Sequence, residues 1–83
     1  MPRYLLHHRH APHDCGVAFA AFKGHDSPLR HRATLGSCVT DAHERHSIWW
    51  TVEAPSAELA LAQLPFYVAR RTVVTPVGDV PIP

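Results

Sequence analysis

Eighty-three residues with a formal net charge of +1 and 46% hydrophobic side chains describe one small domain, residues 1–83. Near-neutral charge and scattered arginines leave out the basic footprint of a nucleic-acid binder. No apolar run approaches the roughly 20 residues that span a bilayer, because Lys23 or a proline breaks each candidate, which argues against a membrane protein.

The first predicted element is a strand over Arg3–His10. Leu5 and Leu6 put apolar side chains on opposite faces, as a central strand requires. Pro12 ends it. Asp14 is placed to cap a helix over Cys15–Lys23 with Val17, Phe19 and Phe22 as apolar positions and Gly24 as its stop. Ser27-Pro28 then opens a second helical piece that runs to Leu35 and ends at Gly36, with proline at the first helical position where a missing N–H costs nothing. A short strand over Ser37–Asp41 leads through a polar connection into Ser47–Ala54. There Ile48, Trp50 and Val52 share one face, and Trp49, Thr51 and Glu53 the other. Pro55-Ser56 introduces a helix over Ala57–Leu64, interrupted by Pro65, and a last strand covers Thr72–Val77. Gly78–Pro83 is an extended tail whose prolines discourage pairing.

The order is βαββαβ, an α+β fold of ferredoxin-like type: a four-stranded antiparallel sheet with helices on one face. A chain this short buries only about 60% of the surface its unfolded form exposes, so further support is expected. Oligomerisation supplies it in many small domains, and a symmetric homodimer that covers the open sheet face is the expectation. Two cysteines, Cys15 and Cys38, are too few for a disulfide framework. The N-terminus lacks a basic stretch followed by a long apolar run, so a reducing cytoplasm is the expected compartment.

With this order, the chain resembles the dimeric α+β barrel group, and YCII-related proteins most of all. Arg3-Tyr4-Leu5-Leu6 is similar to that family's first strand, and Pro28 to Leu35, with His31-Arg32-Ala33-Thr34-Leu35, resembles its proline-opened helix bearing a histidine. Val52-Glu53-Ala54, Ser56-Ala57-Glu58 and Leu64-Pro65-Phe66 resemble its third strand, second helix and helix-end turn. The resemblance implies a histidine and aspartate as an active-site pair, and the best-matching positions are His31 and Asp41. Arg32 departs from the family, which has an apolar residue there, and so does the run His7–His10. The superfamily includes isomerases, heme-degrading monooxygenases and nickel-binding proteins, so the fold does not select a function.

Eight histidines, all between His7 and His46, are the other signal. In His8-Arg9-His10 the two imidazoles point the same way on a strand and could share an ion. The strand connections bring His10, His13, Asp41, His43 and His46 to one end of the sheet, with His31 and Cys15 nearby. His8, His10, His13, Cys15, His43 and His46 are therefore the candidate metal ligands, and such a His/Cys set suits zinc, nickel or copper rather than magnesium or calcium. His7 points to the opposite sheet face, His25 lies in a loop, and Cys38 reads as plain core. Three functions follow: a small dimeric transition-metal-binding protein, a YCII-like enzyme using His31 and Asp41 for acid–base chemistry on a small molecule, or a non-catalytic dimeric interaction module.

Overall fold

The computed structural model describes residues 1–40 and 44–83. Four antiparallel strands form one sheet: β1 (Arg3–His10), β2 (Leu35–Gly36), β3 (His46–Glu53) and β4 (Thr72–Val77), in the spatial order β2-β3-β1-β4. Short helices fill the connections, α1 (Cys15–Ala20), α2 (Ala57–Leu61) and α3 (Phe66–Ala69), with a 3-10 turn at Pro12–Asp14 ahead of α1. The protein is α+β in kind.

Strand parity sets the core. In β1 the even positions Tyr4, Leu6, His8 and His10 are buried, and across the antiparallel ladder they face Val52, Trp50, Ile48 and His46, which are buried too. Directly opposed residues project from the same face, so one face carries the whole set. Ala60, Leu64, Val68 and Leu29 close over it. Leu6 and Val68 lose all contact with water, a burial that contributes roughly 1.5–3 kcal/mol for each such side chain. On the opposite face Leu5, His7 and Trp49 are half-buried while Thr51, Glu53, Val73 and Thr75 are exposed. The two tryptophans part accordingly: Trp50 is core, whereas Trp49 stacks on His7 with ring centroids 5.1 Å apart.

Local chemistry explains the element ends. Ser56 caps α2 by accepting the Leu59 N–H at 3.2 Å, and Glu58 sits in the first turn, where the helix dipole favours a negative charge. The helix expected over Ala57–Leu64 divides in two. Pro65 cannot continue the first piece and takes the N-cap position of α3, whose buried residue is Val68. Asp14 stands at the N-cap of α1 without a side-chain capping bond; its carboxylate lies 3.6 Å from His13 Nε2 instead.

The segment expected as a helix over Ser27–Leu35 is a series of turns. Ser27 Oγ accepts the Leu29 N–H at 3.2 Å, the Arg30 N–H bonds the Ser27 carbonyl at 3.2 Å, and Leu29 is the one residue of this stretch driven into the core. Leu35 is largely exposed and Ala33 is exposed too, so the segment buries only Leu29, too little to offset the cost of nucleating so short a helix. Leu35 and Gly36 pair instead with Trp49 and Ile48 as an edge strand, where a Cβ on Gly36 would come within 3.3 Å of the Ser47 carbonyl oxygen. The strand expected over Ser37–Asp41 is thus displaced towards the N-terminus. Asp41 lies outside the described residues.

Candidate metal centre

Beyond Gly36 the chain turns sharply rather than staying in the sheet. Ser37 anchors the turn: its N–H donates to the Ser47 carbonyl, its Oγ accepts the Ser47 N–H, both at 2.8 Å, and its carbonyl accepts the Thr40 N–H at 3.1 Å. This swings Cys38 over the end of the sheet where β1 finishes and β3 begins. Cys15, the first residue of α1, arrives from the other side. His10 and His46 are opposed partners across the β1–β3 ladder and lie on the buried face.

Four side chains therefore converge. One donor atom from each of His10, Cys15, Cys38 and His46 lies within 4.8 Å of all the others, and the group could hold a metal ion. His10 Nε2 is 3.3 Å from Cys15 Sγ and 3.3 Å from Cys38 Sγ, and Cys15 Sγ is 3.1 Å from His46 Nδ1. Around a tetrahedral zinc, with Zn–S near 2.3 Å and Zn–N near 2.0–2.1 Å, adjacent donors stand about 3.3–3.8 Å apart. These three spacings lie in or within a few tenths of an ångström of that range, and the remaining donor pairs lie within 4.8 Å.

A second layer fixes the orientation of His10. Its Nδ1 lies 2.9 Å from His8 Nε2, and His8 Nδ1 lies 3.2 Å from the Val68 carbonyl. A carbonyl can only accept, so His8 carries its proton on Nδ1 and presents the Nε2 lone pair. His10 must then donate from Nδ1, and its Nε2 lone pair points at the two sulfurs. The Val68 carbonyl ends the chain of bonds at the C-terminal end of α3, where it also accepts from the Arg71 N–H at 3.0 Å and from Thr72 Oγ1 at 2.7 Å. Metal-bound imidazoles are held in this manner by an acceptor behind them.

Electrostatics favours the neutral imidazoles that ligation needs. Burial, assisted by the nearby His10, pushes His8 down to about 4, and burial together with His46 lowers His10 as well. The Cys38 thiol is raised to about 11 by burial and by the Cys15 thiol next to it, so without a cation it holds its proton at neutral pH. A bound cation would replace that proton.

The remaining described histidines lie elsewhere. His8 is one bond removed from the cluster. His13 is exposed beside Asp14, and His31 is exposed with no hydrogen-bond or ionic partner among the described residues. His43, like Asp41, lies outside the described residues. His7 pairs with Ser47 Oγ at 2.9 Å, and the half-buried His25 lies 3.2 Å from the Gln63 carbonyl. Cys38, which reads as core from its sequence neighbours, is the fourth member of the cluster. Its position at the start of the β2–β3 connection, with His46 at the first residue of β3, is the signal that pairs them.

No known family, curated protein or solved structure matches the chain.

Proposed function

We propose that this is a small metal-binding protein in which His10, Cys15, Cys38 and His46 hold one zinc ion. The observation that carries the reading is the convergence of two imidazoles and two thiols from four separate parts of the chain. An S₂N₂ tetrahedral donor set favours zinc over nickel or copper, which prefer square or tetragonal arrangements in their divalent states. Four protein ligands leave no open position, so the ion serves structure rather than Lewis-acid chemistry. It ties α1 and the 37–40 turn to the ends of β1 and β3. A domain of 83 residues with short helices gains most from such a staple.

The test is metal analysis of untagged protein together with thermal unfolding. One zinc per chain is expected, and stripping it with a chelator should lower Tm by more than 10 °C, restored by zinc. Metal-free protein that gains no thermal stability from zinc, nickel or copper would sink the reading.

A homodimer of ferredoxin-like subunits is a second proposal, supported by the open sheet face. Half-buried Leu5 and Trp49 lie there with the exposed Leu35, Val73 and Val77, an apolar row that a second copy could cover. A monomeric mass in solution at micromolar concentration would remove it. The acid–base reading pairs His31, which is exposed, with Asp41, which lies outside the described residues.

A further inference from the structure

Next to the metal centre a groove runs along the β3 edge of the core. Its larger part, about 190 Å³, is lined by Phe19, Phe22, Leu29, Ile48 and Trp50, with Arg30 and Arg32 at the rim. A second part of about 160 Å³ shares Phe19, Thr34 and Ile48 with the first and continues to Cys38.

The walls and the rim call for different chemistry. Three aromatic rings and two aliphatic side chains make a face suited to a flat apolar group, and Phe22 already packs at 6.1 Å from Trp50. An apolar cavity of about 150 Å³ holds a benzene molecule, so the larger part accommodates one ring with a short substituent. At the rim two guanidinium groups stand two residues apart in the same turn segment. Arg32 uses one NH2 to donate to the Thr51 carbonyl at 2.8 Å, which holds it beside the groove. Neither arginine is paired with a carboxylate among the described residues. Positive charge with no carboxylate partner among the described residues, over an apolar slot, is complementary to an anion that carries an apolar body, and the planar guanidinium fork matches a carboxylate.

We propose that this groove binds a small aromatic carboxylate, with the ring against Phe19, Phe22 and Trp50 and the carboxylate between Arg30 and Arg32. The ligand sits against the core rather than in the cluster, so binding does not require a metal–ligand bond. Polyanions such as nucleotides fit poorly, because the basic rim is two residues wide and the slot holds a single ring.

The probe is phenylacetate, with 2-phenylacetamide as an uncharged control of the same shape, titrated into ¹⁵N-labelled protein carrying whatever metal it retains on purification. The Trp50 indole N–H resonance is expected to move on saturation, with phenylacetate binding at least tenfold tighter than the amide. Arg30→Gln/Arg32→Gln should abolish that difference without changing Tm, since both side chains are exposed. If the double variant melts early, the single variants are compared, and each should lose part of the preference. Equal affinity for acid and amide, an unmoved Trp50 indole, or a preference that survives the arginine substitutions overturns the proposal. Metal content is measured separately, so either result leaves the zinc reading to its own test.

Discussion

Two histidine-bearing regions behave in opposite ways. At the end of β1, His8 and His10 are almost wholly buried, linked to each other and joined to two thiols and His46. In the turn segment after Ser27, His31 is exposed and lacks a partner among the described residues. The difference is one of constraint. Each imidazole of the first region projects from a strand whose ladder fixes the side on which it emerges, whereas the second region is anchored in the core through Leu29 alone.

The largest expected effect separates the regions most sharply. Cys38→Ser should weaken zinc binding by at least a hundredfold and lower Tm by more than 10 °C, because the energy of a structural zinc site, about 10–16 kcal/mol in small peptides, is folding energy. His31→Ala should leave both unchanged, with a stability change within about 0.5 kcal/mol. Competition titration with a chromophoric chelator and a thermal melt read both variants, and a Cys38→Ser protein with wild-type zinc affinity would remove Cys38 from the ligand set.

The next effect concerns proton linkage in metal-free protein. His8 titrates near 4 when folded and near 6.5 when unfolded. Above pH 6.5 both states are neutral there and the shift contributes nothing. As pH falls towards 4 the unfolded state takes up the proton first, so stability drops, by on the order of 3 kcal/mol in total. The lowered His10 acts in the same direction. Urea unfolding between pH 7 and pH 4 should show this loss, and His8→Leu should flatten it; an equally steep profile in the variant would place the linkage elsewhere.

The smallest of these effects tests the layer behind the ligands. His8→Leu keeps the volume filled but removes the acceptor for His10 Nδ1–H. Zinc affinity at pH 7 should fall about 10–100-fold, as for other losses of an orienting partner. Unchanged affinity would mean that His10 is oriented by packing alone.

Several parts of this arrangement are legible in the sequence. The β1, β3 and β4 strands follow from alternation, and the antiparallel sheet follows from their order. Strand parity also puts His8 and His10 on one face and His7 on the other, because successive side chains of an extended chain must alternate. The sequence patterns could not fix the segment 27–40. Ser27-Pro28 is a strong helix opening by local rules, but of the apolar positions that follow only Leu29 is buried, while Leu35 pairs in the sheet edge and is exposed. That outcome shortened β2 to Leu35–Gly36 and left Cys38 in a turn rather than a strand.

The sequence by itself determined that every imidazole and both thiols lie between His7 and His46 and which strand face each strand-borne histidine would take, since both depend only on residue order and backbone period. Only the tertiary structure decided which four of them meet. The Ser37–Ser47 bonds swing Cys38 over the sheet end, the antiparallel register sets His46 opposite His10, and the Val68 carbonyl fixes the proton on His8. Those are contacts between residues 10 to 60 positions apart, and no local pattern encodes them.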